Sequence, residues 1–352
     1  MKKICFIVGA FPKMQCGIGD YTYNLARELS KNGNEVSVIT SKKAENDIED
    51  SVKVYNIVEN WNFRNLNNII EKLKEIQPDI VNIQYPSGEY KKNLMINFLP
   101  FFIRKKIKCK VVETIHEYSI FTILGKIRNA ISFKFADEIL VVEESYLDEI
   151  RKVNKKVEIK YLPISANVKK SNLSTNEIKE IRQKLGIQNC KVMSFFGFAN
   201  ENKGIENILY SLKDIPDVKL LFIGDVKEEN AYQKSLIELS KKIGVYERII
   251  FLGFVNQGDA GIYLKSTDVC VLPFVNGVSN RNGSYLAALN ENIPVVTTTK
   301  SESYEKDGVF YVNINKKEEL TSAIKKALNY NKEIKRENIT WEWVAKKYLE
   351  LI

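Results

Sequence analysis

Two successive runs of alternating buried strands and amphipathic helices constrain this chain more than any other feature of its sequence. The first run opens with an apolar strand at Lys3–Val8, a glycine-containing loop at 11–19, a helix over Asp20–Lys31 and a strand at Glu35–Thr40. The second run begins with the apolar segment Val192–Phe196. Such alternation is typical of parallel sheets joined by right-handed helical crossovers. The sequence therefore predicts an α/β fold with two doubly wound halves.

The remaining predicted elements follow the same alternation in both halves. The first half continues with helix Asn67–Glu75, strands Ile80–Gln84 and Val111–Ile115, helix Ile120–Phe135, strand Ile139–Val142, helix Ser145–Lys152 and strand Val157–Leu162. The polar residues 165–190, with a charged helix at Thr175–Leu185, predict the connection between the halves. The second half continues with helix Glu206–Leu212, strand Lys219–Ile223, helix Tyr232–Ile243, strand Ile249–Phe251, helix Ala260–Leu264, strand Val269–Leu272, helix Ser284–Asn290, strand Val295–Thr298 and helix Glu318–Leu328.

The bulk composition narrows the class of protein. A length of 352 residues suits about two domains, and no apolar run reaches the roughly 18 residues needed to span a bilayer. The N-terminal stretch resembles a signal peptide, but its apolar part is short and a loop and a helix follow, so we interpret it as a buried strand. Five widely spaced cysteines and one histidine favour neither a disulfide framework nor a zinc site, and a reducing cytoplasm is expected. The net charge of +9 suggests either an anionic partner or a compositional bias towards lysine.

The first motif with chemical meaning is Gly17-Ile18-Gly19-Asp20-Tyr21, between a strand and a helix. Two glycines let the backbone approach a ligand closely, and the helix N-terminus offers free N–H groups to a phosphate or carboxylate. The spacing differs from GxGxxG, which weakens an interpretation as a dinucleotide site. The alternative is a tight turn before a helix.

Two loops of the second half suit a diphosphate. Lys203 lies in the segment 197–204 after the first strand of this half, and Arg281 lies in the polar loop 272–284 between a strand and a helix. A lysine or arginine beside a helix N-terminus at the carboxyl edge of a parallel sheet can bind phosphate oxygens. The alternatives are a solvated lysine and a structural loop rich in turn-forming residues.

Two features of the first half are also candidates. His116 follows the strand Val111–Ile115, where an α/β sheet presents ligand-binding side chains, although a lone histidine is more often structural. The segment 91–108 combines an apolar run with flanking lysines and an arginine. Such a segment can lie on an anionic membrane surface, and the alternative is an ordinary packed helix with a solvated basic end.

These motifs together resemble those of the retaining glycosyltransferases of the large family-four group, and the resemblance covers nearly the whole chain. The segments that carry it are Gly17-Ile18-Gly19-Asp20, His116, Lys203-Gly204, Gly224-Asp225, Leu252-Gly253-Phe254 and the stretch from Ser279 to Pro294-Val295-Val296. The resemblance implies a GT-B fold, with two Rossmann-like domains facing a central cleft and a last helix that crosses back to the first domain. The acceptor domain would comprise residues 1–165 and the crossover helix 336–352, and the nucleotide-sugar donor domain would comprise residues 166–335.

Three positions depart from the family pattern. The family has an arginine directly after the glycine that corresponds to Gly197, where this chain has Phe198. The family also has two glutamates separated by seven residues, and counting back from Pro294 places them at Ser279 and Ala287. In the family the first glutamate lies near the donor sugar and the second holds the ribose. A variant loop in which serine, asparagine and arginine groups replace these contacts is expected.

The resemblance implies transfer of a sugar from a nucleotide sugar, with UDP as the default, to a saccharide or lipid-linked acceptor with retention of configuration. In this front-face reaction the leaving diphosphate accepts the proton of the acceptor hydroxyl, so that the protein chiefly stabilises charge and positions the reactants. The implied catalytic residues are His116, Lys203 and Arg281. The implied donor-binding residues are Gly17, Gly19, Gly197, Lys203, Gly253, Phe254, Ser279, Asn280, Arg281, Asn282, Gly283 and Ser284. The candidates for acceptor binding are Asp20, Gln84 and Tyr85.

The sequence has no evident Asp-x-Asp motif, so neither a metal nor a cofactor other than the nucleotide-sugar co-substrate is expected. A cytoplasmic protein with possible peripheral membrane contact through residues 91–108 is the expected setting. Two other classes stay open: a GT-B-like epimerase or phosphorylase, and a non-catalytic partner that binds sugar nucleotides, which the missing glutamates favour. The dispersed basic residues argue against a nucleic-acid binder.

Overall fold

Two seven-stranded sheets, one in each half of the chain, organise the protein. The computed structural model describes residues 1–12, 14, 16–44, 52–91, 93–119, 121–256 and 258–352. The elements of the first half are β1 (Lys3–Ile7), α1 (Gly17–Lys31), β2 (Glu35–Ser41), β3 (Lys53–Val58), α2 (Leu66–Ile76), β4 (Ile80–Tyr85), α3 (Met95–Lys106), β5 (Lys110–Ile115), α4 (Ile123–Phe133), β6 (Glu138–Val141), α5 (Ser145–Arg151) and β7 (Glu158–Tyr161).

The second half continues the alternation and ends in a hairpin and two helices. Its elements are α6 (Thr175–Lys184), β8 (Lys191–Phe196), α7 (Ile205–Lys213), β9 (Val218–Ile223), α8 (Ala231–Lys242), β10 (Ile249–Phe251), α9 (Ala260–Lys265), β11 (Val269–Leu272), α10 (Gly283–Asn290), β12 (Val295–Thr299), β13 (Tyr304–Lys306), β14 (Val309–Asn313), α11 (Glu319–Leu328) and α12 (Trp341–Leu351).

The first sheet is parallel throughout, with the strand order β3-β2-β1-β4-β5-β6-β7. Its central strands are almost fully buried, as expected when helices cover both faces of a parallel sheet, and the last four residues of β1 are an example. The strand order reverses between β1 and β4. In doubly wound sheets ligands bind at the carboxyl ends of the strands beside such a reversal.

The second sheet has the order β10-β9-β8-β11-β12-β14-β13 and is parallel except for the β13–β14 hairpin. Its order reverses between β8 and β11. The carboxyl ends of β8 and β11 are therefore the expected ligand-binding edge of this half.

The chain divides into two units by its internal contacts. Unit 1 comprises Met1–Ser165 together with Ile339–Ile352, and unit 2 comprises Ala166–Asn338. The last helix, α12, thus belongs to unit 1, where it packs on α1. Its buried Tyr348 contacts the ring of Phe6 in β1 with a centroid distance of 6.0 Å. The predicted fold class, with two Rossmann-like domains and a last helix that returns to the first, is confirmed.

Three strands were missed by the sequence analysis. β3 is a half-buried edge strand, so it lacks the continuous apolar run that marks the central strands. β13 and β14 form a hairpin through Asp307 and Gly308, whose φ angles of 51° and 72° fit a two-residue turn of the Asp-Gly type. The helix α1 begins at Gly17, three residues before the predicted start, so Gly17 and Gly19 lie in its first turn and not in the loop.

Candidate functional site

Three glycines lie at the carboxyl ends of adjacent strands in unit 2, and we call them the glycine edge: Gly197 after β8, Gly224 after β9 and Gly253 after β10. Gly224 and Gly253 pair through an isolated β-bridge. A Cβ atom on Gly224 would lie 2.2 Å from the Gly197 carbonyl oxygen, so no larger residue fits there. Because these three residues have no side chains, a ligand can approach the peptide groups at this edge closely.

Lys203 lies beside the glycine edge in a desolvated position. It ends a short 3-10 turn, and its Nζ atom lies 4.8 Å from the ring centre of Phe274, which follows β11. Burial lowers the pKa of Lys203 below its usual range. Within the described part of the chain no carboxylate forms an ion pair with it. An anionic ligand would offset the desolvation of this ammonium group.

The turn that carries Lys203 is fixed by the next residue. Gly204 has a φ of 62°, and a Cβ atom at this position would lie 2.3 Å from the carbonyl oxygen of Pro273. The backbone N–H of Val275 also donates to the carbonyl of Asn202 over 3.0 Å. These contacts tie the lysine turn to the end of β11 and hold Lys203 at the strand reversal.

The loop before α10 is held by its own side chains. The Asn282 Oδ1 atom accepts hydrogen bonds from the backbone N–H of Ser279 over 2.7 Å and from its hydroxyl over 3.3 Å. Asn282 therefore does not cap α10, although it is the N-cap residue. The first-turn N–H groups of the helix, beginning at Gly283, receive no side-chain cap and can bind an anion.

Ser284 connects this helix terminus to the glycine edge. Its side chain is 8% exposed, and its hydroxyl has no hydrogen-bond partner in the structure. Its Cβ and Oγ atoms lie 3.7 and 3.8 Å from the position of a Cβ atom on Gly197. The structure thus brings together the predicted donor residues Gly197, Lys203 and Ser284 at the ends of β8 and β11.

The other predicted donor residues of unit 2, and the positions that depart from the family pattern, have different surroundings. Phe254 and Phe198 flank the glycine edge in sequence and are 74% and 68% exposed, so their rings are available to a ligand. Asn280 and Arg281 both interact with other groups of the protein, and Arg281 is half-buried. Ala287, at the position of the second family glutamate, is fully buried in the core of unit 2.

In unit 1, His116 follows β5 and is held by a buried polar chain. Its Nε2 atom lies 2.8 Å from Gln84 Oε1, and its ring meets the ring of Tyr21 edge-on at 4.6 Å. The Gln84 Nε2 atom donates to Asn82 Oδ1 over 2.8 Å. The Asn82 Nδ2 atom donates to the hydroxyl of Tyr348 in α12 over 2.9 Å. His116 is 4% exposed and is therefore positioned by groups from β4, α1 and α12.

The polar chain changes the role of Gln84. Gln84 was predicted to contact the acceptor, but its side chain is fully buried and both ends of its amide are bonded within the protein. It leaves no surface for an acceptor and instead orients His116. Tyr85, the next residue, is half-buried and lines a cavity at the end of β4.

The glycines of α1 differ from each other. A Cβ atom on Gly19 would lie 2.8 Å from the carbonyl oxygen of Ala10, so this glycine allows close packing of the helix on the chain after β1. Gly17 is exposed with nothing within 4 Å of such an atom, which leaves its backbone accessible. Asp20 is half-buried in the same helix, and burial raises the pKa of its carboxyl group.

The apolar run in the predicted membrane segment 91–108 faces mainly inwards. Met95, Ile96, Leu99 and Ile103 of α3 are buried in the core of unit 1, because their spacing places them on one face of the helix. Lys92 lies outside the described residues. Within the segment Leu94 and Phe101 are exposed, and three more strongly exposed apolar residues lie on α4, which the sequence analysis did not single out: Ile123, Leu124 and Ile127.

Two further properties concern metals and membranes. In the described ranges no group of three or more histidine, cysteine, aspartate or glutamate side chains is arranged to hold a metal ion. Among the helices of those same ranges, none combines the length and the apolar character that crossing a bilayer requires.

Models of glycosyltransferase families match both halves of the chain. Residues 16–167 match the Glycosyltransferase Family 4 model, and residues 190–330 match the Glycosyl transferases group 1 model. Together the two matches cover most of the sequence. The two halves of the chain are therefore glycosyltransferase domains of these two families, and the two sheets form the GT-B fold.

Relatives and solved structures agree with this assignment. An uncharacterized glycosyltransferase of Methanocaldococcus jannaschii is 25% identical over 295 residues, which cover 78% of this chain and 75% of the relative. Sucrose-phosphate synthase from Thermosynechococcus elongatus has a TM-score of 0.76 at 15% identity, covering 100% of this chain and 98% of the other. The Anabaena protein HepE, solved in complex with UDP-glucose, has a TM-score of 0.70 at 17% identity, covering 100% and 95%. At these identities the two structures show a shared fold.

Proposed function

We propose that the protein transfers a sugar from a nucleotide sugar, with a UDP-sugar as the first candidate, to an acceptor bound by unit 1. The glycosyltransferase family and the GT-B fold support the reaction class, and the UDP-glucose complex of HepE supports the choice of donor. The observation that carries the proposal is Lys203, a desolvated ammonium group without a carboxylate partner in the described residues, beside the glycine edge. Such a group needs an anion, and the diphosphate of a nucleotide sugar supplies one.

The donor would be held at the ends of β8 and β11. Lys203 would bind the diphosphate by charge, and the uncapped N-terminus of α10 would add N–H groups and the positive end of its dipole. The unpartnered Ser284 hydroxyl would supply one more donor. Arg281 would add a second positive charge on the leaving group, in place of the arginine that Phe198 replaces. The exposed ring of Phe254 would contact the base.

The reaction itself would retain the anomeric configuration. The bond between the anomeric carbon and the diphosphate oxygen breaks, and the acceptor oxygen bonds to the same face of that carbon. The acceptor proton passes to the departing phosphate oxygen, so no protein nucleophile and no metal is required. The protein would then act by stabilising the diphosphate charge and by placing the acceptor.

A panel of UDP, GDP, TDP and ADP sugars tests the donor assignment by thermal shift, because a specific ligand raises the melting temperature. We expect one nucleotide class to stabilise the wild type, and Lys203→Ala to lose most of that shift while Lys203→Arg keeps part of it. Turnover of the same donor is then measured in EDTA. Unchanged turnover in Lys203→Ala would refute the role of Lys203, and loss of turnover in EDTA would refute metal independence.

The non-catalytic alternative rests on Ser279 and Ala287, which stand where the family has glutamates. Calorimetry decides between the two functions. Binding of a nucleotide sugar without hydrolysis or transfer to any acceptor of a broad panel would identify a sugar-nucleotide-binding partner.

A further inference from the structure

Unit 1 contains a cavity of about 120 Å³ between the end of β4 and the helices α3 and α4. Its wall includes Tyr85 at the end of β4, Ile96 of α3 and Gly125 and Arg128 of α4. Lys91, in the segment between β4 and α3, also lines the cavity. The cavity thus lies at the carboxyl edge of the sheet, beside the strand reversal at β4.

The cavity is lined by two cations and by no acidic side chain of the described residues. Neither Lys91 nor Arg128 forms an ion pair with any carboxylate in the described ranges. The nearby Glu113 does not balance them at neutral pH, because burial raises the pKa of its carboxyl group to about 8. The local charge is therefore positive.

Arg128 presents one donor without an acceptor to the cavity region. The Arg128 Nη2 atom donates to the carbonyl of Asn93 over 2.9 Å, but its Nε atom is buried without a partner. The same Nη2 atom lies 3.4 Å from the Oδ1 atom of the buried Asn97. Leaving buried donors unpaired costs free energy, so a group rich in acceptor oxygens would fit here.

Lys91 adds an independent observation. Its φ of 51° and ψ of −134° belong to a backbone region that favours glycine. A lysine in this conformation is strained, and this residue lines the cavity. Such strain at a site suggests that the side chain is retained for binding.

The outer face of α4 is apolar. Ile123, Leu124 and Ile127 are 79%, 74% and 56% exposed, and we call these three residues the α4 ridge. The same helix supplies Gly125 and Arg128 to the cavity wall, and the ring of Phe121, just before the helix, also lines the cavity. A positive cavity and an exposed apolar ridge therefore adjoin on one helix.

We propose that this cavity binds the phosphate group of an amphipathic acceptor, whose apolar chain lies along the α4 ridge. Lys91 and Arg128 bind the phosphate oxygens. The identification of this ligand as the acceptor rests on the proposed glycosyl transfer, whereas binding of the phosphate and of the chain does not. A lipid phosphate and a small phosphate ester share the same anionic group, and only the first uses the ridge.

Calorimetry on the full chain with ethyl phosphate, dodecyl phosphate below its micellar concentration and dodecanol separates these contributions. We expect dodecyl phosphate to bind at least tenfold more tightly than either other compound. Lys91→Gly should weaken the binding of both ethyl phosphate and dodecyl phosphate at least tenfold. Its melting temperature should stay equal or rise, because glycine relieves the backbone strain. Arg128→Gln provides a second test of the charge, with its folding checked by circular dichroism.

The ridge is tested by the triple variant Ile123→Ser, Leu124→Ser, Ile127→Ser, with Val153→Ser and Tyr210→Ser as controls at other exposed apolar positions. The triple variant should lose the advantage of dodecyl phosphate over ethyl phosphate, and the controls should keep it. Equal binding of dodecanol and dodecyl phosphate, or unchanged affinity in Lys91→Gly, would overturn the proposal. So would a ridge that only mediates self-association, seen as a dimer that the triple variant dissociates without any change in ligand affinity.

Nucleotide-sugar binding is measured in the same variants. If the protein binds nucleotide sugars but not dodecyl phosphate, the acceptor site alone is refuted. Absence of nucleotide-sugar binding when dodecyl phosphate binds would refute the donor proposal alone.

Discussion

The Nε2 atom of His116 lies 2.8 Å from the Oε1 atom of Gln84, and the rest of the polar chain decides which of the two donates. The Gln84 amide nitrogen donates to Asn82, whose own nitrogen donates to Tyr348, and in this orientation of the two amides the Gln84 oxygen faces the histidine. An oxygen can only accept, so Nε2 of His116 carries a proton. The chain from α12 through β4 thus sets the tautomer of the histidine.

This arrangement predicts the NMR spectrum of the histidine. Because His116 is the single histidine of the chain, its ring nitrogens can be observed without assignment ambiguity. We expect the ¹⁵N shifts of neutral wild-type protein to show a protonated Nε2, and Gln84→Leu to give a mixture of tautomers. Gln84→Leu should also lower the free energy of unfolding by about 1–3 kcal/mol, because it leaves buried polar groups unpaired. A wild-type spectrum dominated by a protonated Nδ1 would contradict the assignment.

The two glycines of α1 give a matched pair of substitutions. Gly19→Ala should lower the free energy of unfolding by about 1–3 kcal/mol, because its Cβ would meet the Ala10 carbonyl oxygen at 2.8 Å. Gly17→Ala should leave stability unchanged or raise it by up to about 1 kcal/mol, because the new methyl group meets nothing within 4 Å. Urea denaturation measures both changes.

Nucleotide-sugar affinity separates packing from binding in the same pair. If the Gly17 backbone contacts the donor, as the resemblance implies, Gly17→Ala should lower the affinity for the nucleotide sugar without destabilising the protein. Equal affinity in Gly17→Ala and wild type would leave the motif with a packing role only, carried by Gly19.

The sequence predicted what depends on local patterns and missed what depends on long-range pairing. Continuous apolar runs identified the central strands, and the position of His116 at a strand end followed from its neighbours. The partner of His116 lies 32 residues away, so Gln84 could be placed at the sheet edge but its inward orientation could not be foreseen. For the same reason Gly19 was assigned to a ligand, since its contact with Ala10 exists only after folding.

The α4 region shows the same limit in another form. The sequence predicted a helix over 120–135, but periodicity alone did not show that Ile123, Leu124 and Ile127 would face outwards. Their exposure depends on which face of α4 packs on α3 and β5. The basic residues of 91–108 drew attention to α3, whose apolar face is buried.

The buried carboxyl group of Glu113 should make the free energy of unfolding depend on pH. Its side chain is 2% exposed, and desolvation raises the pKa of its carboxyl group to about 8, while the hydrogen bond from Ser132 opposes part of this effect. A pKa raised in the folded state means that the folded protein holds a proton that the unfolded chain has lost. The contribution to stability is therefore fully present below pH 4.5, the ordinary pKa of a glutamate, and is lost as the pH rises towards about 8.

Glu113→Gln removes this dependence. Relative to the variant, the wild type should lose stability between pH 5 and pH 8 with a slope approaching about 1.4 kcal/mol per pH unit. Urea midpoints at several pH values measure the difference, and Glu180→Gln on the exposed side of α6 serves as the control. Parallel curves for wild type and Glu113→Gln would show that Glu113 is ionised in the folded protein.

Removing the charge of Asp20 is expected to have opposite effects on stability and activity. Its carboxylate is half-buried in the first turns of α1, and burial raises its pKa. Among the described residues its carboxylate has no hydrogen-bond or ion-pair partner to oppose this effect of burial. Asp20→Asn keeps the shape and removes the charge, and we expect equal or higher stability at pH 7.5.

If Asp20 positions the acceptor hydroxyl, the same variant should lower kcat at least tenfold, about 1.4 kcal/mol of activation free energy. Glu28→Gln on the same helix is the control, because the half-buried Glu28 pairs with Lys31 over 2.9 Å and with Arg27 over 3.4 Å. Loss of these ion pairs should lower the free energy of unfolding by less than about 1 kcal/mol and leave kcat unchanged. Destabilisation with unchanged kcat in Asp20→Asn would instead assign the carboxylate to the folding of α1, since a group that only supports the helix has no separate effect on turnover.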